Sequence, residues 1–205
     1  MAEALTSKTL LFRIRDPSDA LAWESFCEIY TPLVFHFSLK RGLSSSDAAD
    51  IVQDVMTSVA KAIGDFSYDS NKGTFRSWLY TITRNCIHKH FRKLGRQPVS
   101  IRQSAVTRLA DDQESDDSAE TLWESEYRRT LFHWAVRAIR DEFQEHTWQA
   151  FWRTAVEDVP AAIVAEELGM QPGAVYTARS RVLTRLRVRI ASVAGDPEDF
   201  LSPDP

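Results

Sequence analysis

Three side chains near the middle of the chain could bind a metal ion, namely those of Cys86, His88 and His90. Thiolate and imidazole groups are common zinc ligands. The three residues lie two positions apart in a stretch with helical periodicity, and two residues turn a helix by about 200°. Their side chains therefore diverge, and we predict neither a metal site nor a cofactor.

Basic residues are concentrated around the same stretch. From Lys72 to Arg108 there are nine lysines and arginines and no acid, whereas residues 111–126 contain eight acids and no base. The net charge of −4 conceals this segregation, which favours nucleic-acid binding by the basic part. A metal-dependent nuclease would need clustered carboxylates in a basic groove. We therefore rank a nuclease last and expect no catalytic residue and no enzyme.

Helices must position these groups, because the sequence shows no convincing run of alternating strands. We predict an all-α fold that begins with a helix over about 18–39, which Pro32 should kink or divide. A second helix over about 47–63, capped by Ser46, has one apolar face. Its opposite face is polar and carries Asp50, Gln53, Asp54 and Thr57.

A third helix is predicted from a Thr74 cap to about Lys93. A turn of 100° per residue groups the apolar residues Phe75, Trp78, Leu79, Ile82 and Cys86 on one arc. The opposite side then holds a largely basic set, which is Arg76, Tyr80, Arg84, His88 and Arg92. This separation of a core face from a basic face strengthens the interpretation as a nucleic-acid-binding protein.

Composition divides the chain into two small helical domains. Residues 97–120 are polar and acidic, and we predict a flexible acidic linker there, between domains at 18–96 and 121–192. Tryptophans at helical spacing in the second domain are expected in its core. They are Trp123, Trp134, Trp148 and Trp152.

The second domain contains a pattern typical of a helix-turn-helix. Pro160 suits the first position of a short helix, with Asp158 or Val159 as its cap, and Gly169 suits the left-handed residue that ends it. Pro172 opens a second helix. Its apolar arc contains Val175, Val182, Leu183, Leu186 and Ile190, and Arg179 falls within that arc. An ordinary helical hairpin with a basic face remains the alternative.

Two motifs together resemble a known family. The run Asp50-Ile51-Val52-Gln53-Asp54-Val55, followed by Phe66-Ser67-Tyr68-Asp69 and by Gly73-Thr74-Phe75-Arg76-Ser77-Trp78-Leu79, resembles region 2 of bacterial RNA polymerase sigma factors. Residues 161–187 resemble their region 4. No region 3 lies between them, which is typical of the extracytoplasmic-function (ECF) subgroup. The resemblance covers roughly residues 20–96 and 122–190.

The resemblance implies a role for each surface. Core polymerase would bind Asp50, Gln53 and Asp54, although a merely solvated face is the alternative there. The minus-ten element would be captured, melted and held by Phe66, Tyr68, Lys72, Arg76, Tyr80, Arg84, His88, Lys89, Arg92 and Lys93. Phe66 could equally belong to the core. The minus-thirty-five element would be read by Gln171, Tyr176, Thr177, Ser180, Arg181, Thr184 and Arg185.

The partners implied by the resemblance are core RNA polymerase, promoter DNA and, for many members, an anti-sigma factor. The two distant cysteines and the lack of a signal peptide or membrane span favour a cytoplasmic protein. A helix-turn-helix regulator that acts without polymerase is the alternative function. It would need a sensor or dimerisation domain, and the first ninety residues resemble neither.

Overall fold

The computed structural model describes residues 10–66, 74–94 and 116–194. Within these ranges the chain is helical and has no β-strand, which confirms the predicted all-α fold. In this part of the chain no helix is long and apolar enough to cross a membrane. The chain divides into two compact units between Thr130 and Leu131.

The N-terminal unit starts with a helical turn at residues 10–13. It then contains α1 (Ala20–Lys40), α2 (Ser45–Ala62), α3 (Phe75–Leu94) and the first part of α4 (Asp116–Ile139). Helix α2 packs on both α1 and α3. The fully buried residues of this unit include Phe26, Leu33, Phe37, Ile51, Val55, Val59 and Leu79.

Helix α1 continues through Pro32, so of the two predicted effects of this proline, a kink or a division, the division does not occur. A proline in a helix removes its own N–H and disturbs the preceding turn. The residues on either side, Ile29, Leu33 and Val34, are buried in the core and hold both halves in place. Leu21, in the first turn of the helix, is 70% exposed.

Helix α2 is capped two residues earlier than predicted. Ser44, not Ser46, is the cap, and its Oγ accepts a hydrogen bond from the backbone N–H of Asp47 at 3.1 Å. The Asp47 carboxylate in turn accepts a hydrogen bond from the Ser44 hydroxyl at 2.6 Å. A serine followed by an acid three residues later is a reciprocal capping arrangement, which fixes the start of the helix more firmly than a lone serine.

Helix α3 begins as predicted, since Thr74 Oγ1 accepts the backbone N–H of Ser77 at 3.2 Å. Its buried face differs from the predicted one. The side chains buried in the core are Phe75, Leu79, Tyr80, Thr83 and Ile87, whereas Trp78, Ile82 and Cys86 are half-buried. The face is thus rotated toward Tyr80 relative to the arc drawn from the sequence.

Helix α4 contributes residues to both units. Its residues 116–130 belong to the N-terminal unit, whereas the sequence analysis assigned residues 121–192 to the C-terminal domain. The helix also begins at Asp116, inside the stretch interpreted as linker. Residues 97–115 of that stretch lie outside the described part of the chain.

The C-terminal unit continues from residue 131 of α4 through a short 3₁₀ turn, Arg140–Glu142. It then contains α5 (Glu145–Ala155), α6 (Ala161–Glu167) and α7 (Pro172–Ala194). Helices α5, α6 and α7 pack against one another. Trp134 and Trp148 are buried, as expected, and Trp152 is half-buried at the side of an open groove of about 710 Å³.

The start of α6 departs from the prediction. Pro160 precedes the helix as its cap residue and Ala161 is the first helical position. Asp158 adopts a left-handed backbone with φ of 54°, so neither it nor Val159 is the cap. Proline fixes φ near −65° but leaves ψ free, and here ψ is 133°, an extended value that turns the chain into the helix.

Candidate polymerase and nucleic-acid interfaces

The polar face of α2 is exposed at all three positions that the resemblance implies for polymerase binding. Ala48, Ile51, Val55 and Val59 of the same helix are buried against its neighbours. Asp50, Gln53 and Asp54 therefore stand on the solvent side, at spacings of three and four residues that make them neighbours on the helix surface. Two carboxylates and an amide on one exposed face form an acidic surface.

Three aromatic side chains pack together at the start of α3. The ring of Phe66 lies 5.5 Å from that of Phe75 and 4.9 Å from that of Trp78, measured between centroids. The Arg15 guanidinium donates to the backbone carbonyl of Phe66. Phe66 is half-buried, so part of the residue packs in the domain and part is in contact with solvent. Tyr68 and Lys72, the other candidates from this loop, lie outside the described residues.

Tyr80 is not available for stacking on a base in this structure, contrary to the prediction. Its ring is only 7% exposed and packs 6.0 Å from Phe37 and 5.7 Å from Trp123. Trp123 belongs to the first part of α4, which sequence reasoning assigned to the other domain. The covering helix lies more than forty residues away in sequence, so periodicity within α3 could not show that Tyr80 is buried.

Arg76, another predicted DNA-binding residue, also has partners within its own unit. Its guanidinium lies 3.3 Å from a carboxylate oxygen of Glu124 and 4.7 Å from the ring centroid of Tyr127. Arg84, about two helical turns further along, lies over the Tyr80 ring at 6.0 Å. Both arginines are half-buried. The N-terminal half of the predicted basic face is therefore engaged within its own unit.

The C-terminal half of α3 carries the exposed basic surface. His88, Lys89, Arg92 and Lys93 are all exposed. Cations in the last turns of a helix also interact favourably with its dipole, so a purely structural role would suffice for one or two of them. Four such residues without a neighbouring acid on the helix give a surface suited to backbone phosphates. His90, between them, faces Asp47 at 3.6 Å.

The C-terminal unit has the geometry of a helix-turn-helix. Gly169 adopts φ of 61°, a left-handed conformation that glycine tolerates. The N–H groups of Gly169 and Met170 donate to the carbonyls of Glu166 and Ala165 at 3.3 and 2.8 Å. This paired arrangement ends α6 and sets the turn into α7. The prediction of Gly169 at this position is confirmed.

Small residues allow the two helices of this motif to cross. Ala165 of α6 and Ala178 of α7 are buried in one cluster with Val164, Val175 and Ala150. Arg179, which the sequence placed inside the apolar arc, is exposed, and Ala178 takes the buried position beside it. Of the other residues in the predicted arc, Val175, Val182, Leu186 and Ile190 are buried and Leu183 is half-buried.

The outward face of α7 presents the polar residues that the resemblance implies for duplex reading. Tyr176 is 59% exposed, and the Thr177 hydroxyl donates to the Gly173 carbonyl at 2.9 Å. Gln171, Ser180, Arg181 and Thr184 are also exposed. The start of this helix thus offers an exposed ring and several hydrogen-bonding groups, as major-groove reading requires.

Arg185 differs from its neighbours on this face because it is paired. Its Nη2 lies 2.8 Å from Oε1 of Glu142, and its Nε bonds the other carboxylate oxygen. The Arg185 hydrogen bonds hold the pKa of Glu142 below its ordinary value. Glu142 was not identified from the sequence, because it lies in the 3₁₀ turn forty-three residues earlier.

Residues 26–97 match the family model described as sigma-70 region 2. The chain is thus similar to sigma-70 region 2 over about a third of its length. Over 89 residues it is 34% identical to the ECF RNA polymerase sigma factor RpoE of Cereibacter sphaeroides. That match covers 43% of this chain and 48% of the relative, so the chain spans about half the length of the curated relative it matches. The resemblance of the first sequence motif to sigma region 2 is confirmed.

Proposed function

We propose that this protein is a sigma factor that binds core RNA polymerase and directs it to specific promoters. The observation that carries the proposal is the presence, on one chain, of a folded sigma-70 region 2 and a helix-turn-helix unit. A region 2 offers a polymerase-docking face, and a helix-turn-helix offers a duplex-reading face. A promoter-specificity subunit needs both.

The work would be divided between the two units. Asp50, Gln53 and Asp54 would dock on the polymerase. The exposed basic end of α3 would hold the backbone of the minus-ten strand through its phosphates, a contribution that weakens with added salt. Exposed residues at the start of α7, led by Tyr176 and Arg181, would read the minus-thirty-five duplex.

The protein itself would make and break no bond in this scheme, because the polymerase carries out nucleotide addition. It would act in the cytoplasm, where the polymerase and the chromosome are. An anti-sigma factor, the partner implied for many members of the subgroup, would have to cover the same docking and DNA-reading faces to inhibit it. The rival function, a regulator that works without polymerase, gives no reason for a region 2.

Binding to core polymerase tests this assignment. We expect the purified full chain to co-elute with core enzyme in size-exclusion chromatography and Asp54→Lys to weaken that binding at least about tenfold. Glu24→Lys is the matched control, since it makes the same charge change at an exposed position of α1 and should bind normally. A chain that fails to co-elute, or two variants that behave alike, would contradict the proposal.

A further inference from the structure

The first part of α4 lies over the N-terminal unit and is anchored there by two aromatic side chains. Trp123 is 1% exposed, and its ring centroid lies 5.1 Å from that of Phe37 and 5.7 Å from that of Tyr80. Tyr127 is 2% exposed and stacks on Tyr30 at 6.3 Å. Side chains of this size bury enough apolar area to hold the segment in place.

Two carboxylates of the same segment lie against basic residues of the helices beneath it. Glu124 pairs with Arg76 of α3 at 3.3 Å, and Glu126 pairs with Lys40 of α1 at 2.6 Å. The charged residues between positions 118 and 126 are all acidic, namely Glu120, Glu124 and Glu126. A strand of nucleic acid would present the same sign of charge.

The segment covers Arg76 and Tyr80, two of the residues that the resemblance implies for binding the minus-ten strand. Binding of a single strand needs a cation for each phosphate and an open ring face for each base. Here the Glu124 carboxylate occupies the Arg76 guanidinium, and the Trp123 ring lies beside Tyr80 where a base would have to stack. The Glu124 carboxylate therefore lies where a phosphate would bind, and the Trp123 ring lies where a base would stack.

We propose that the first part of α4, residues 118–130, is an internal competitor of single-stranded nucleic acid for Arg76 and Tyr80. This inference rests on the proposed function for its biological meaning. The free chain would bind a single strand weakly and would bind it well once the segment has left. The side chains of Arg76 and Glu124 are 27% and 35% exposed, so an incoming phosphate can reach their ion pair from solvent.

Zero-length cross-linking measures directly how much of the protein has the first part of α4 packed on the N-terminal unit. A carbodiimide should join Lys40 Nζ to the Glu126 carboxylate as an amide, because the two atoms lie 2.6 Å apart. Lys40→Arg keeps the charge but cannot form this amide, and so identifies the product by mass spectrometry. The full chain is treated with and without a saturating fluorescent oligothymidylate. We expect the yield of the Lys40–Glu126 product to fall at least about fivefold when the strand is bound.

The affinity of two charge variants for oligothymidylate gives a second measure of the competition. Glu124→Lys removes the partner of Arg76, whereas Glu120→Lys makes the same charge change at an exposed position one turn earlier. We expect Glu124→Lys to bind oligothymidylate about tenfold more tightly than wild type and Glu120→Lys to gain less than about threefold from charge alone. Circular dichroism should show the same helix content in both.

Three results would overturn the inference. They are an unchanged cross-link yield at saturating oligothymidylate, equal gains in affinity for the two variants, and no detectable binding by either variant. The first would mean that the segment is a fixed part of the fold. Transcription with core polymerase decides the proposed function separately: a chain that shows the competition but directs no transcript would refute that function alone.

Discussion

The guanidinium of Arg185 is held by both carboxylate oxygens of Glu142, with Nη2 and Oε1 2.8 Å apart. Arg185 lies on the helix that would read duplex DNA, and Glu142 lies in the 3₁₀ turn before α5. An arginine that is bonded in this way cannot offer the same two N–H groups to a phosphate. The pair therefore limits what α7 can contact.

Glu142→Gln should release Arg185 and raise duplex affinity about threefold, with little effect on stability, because exposed ion pairs contribute at most about 1 kcal/mol. Fluorescence anisotropy with a labelled duplex measures the change. Asp141→Asn, which removes the same charge one residue earlier, is the control and should gain less. Tighter binding to the same degree in both variants would show a general charge effect instead.

Arg181→Ala should weaken binding to the cognate duplex by about 1–3 kcal/mol and reduce binding to random duplex much less, because a side chain near the start of a reading helix contacts base edges. Arg187→Ala, at an exposed position later on the same helix, should reduce both affinities alike. Competition binding with cognate and random duplexes measures both. Equal losses for Arg181→Ala would show that it contacts phosphate only.

Gly169→Ala should destabilise the C-terminal unit by about 1 kcal/mol, since φ of 61° is strained for any residue with a Cβ. The control is Gly173→Ala in α7, where the Cβ enters open space and a helical residue should gain up to about 1 kcal/mol. Urea unfolding followed by tryptophan fluorescence measures both. A neutral Gly169→Ala would contradict the left-handed turn between α6 and α7.

Trp123→Ala should destabilise the N-terminal unit by about 3–5 kcal/mol, because it leaves a large cavity between Phe37 and Tyr80. Hydrogen exchange should then speed up in α3 as well as in α4. Trp152→Ala, at a half-buried ring, should cost less. Unchanged protection of α3 in Trp123→Ala would mean that residues 116–130 do not belong to this unit.

Glu126 should make stability depend on pH. Burial alone would raise the pKa of this carboxyl, but Lys40 and Arg129 outweigh burial and hold the pKa below its ordinary value of 4.5. A carboxyl with a lowered folded-state pKa stabilises the fold above about pH 4.5 and loses that contribution as pH falls through the folded value. The stability difference between wild type and Glu126→Gln should therefore shrink from pH 7 to pH 3. A difference that stays constant would contradict the paired carboxylate.

The sequence predicted those features that depend on neighbours in the chain. The exposed face of α2 followed from one apolar stripe, and the turn at Gly169 followed from a glycine between two short apolar patterns. The burial of Tyr80 did not follow, because Trp123 covers it from a distant segment. The pairing of Arg185 with Glu142 could not be predicted for the same reason, because contacts between distant segments leave no periodic signal in the sequence.

Promoter-specific initiation tests the central claim most directly. Bacterial core polymerase, bacterial genomic DNA and the full chain are combined, and the 5′ ends of the transcripts are sequenced. The account predicts a small set of start sites that appear only with the chain present, share two upstream elements, and fade when Asp54→Lys replaces wild type. Start sites identical with and without the chain would contradict it.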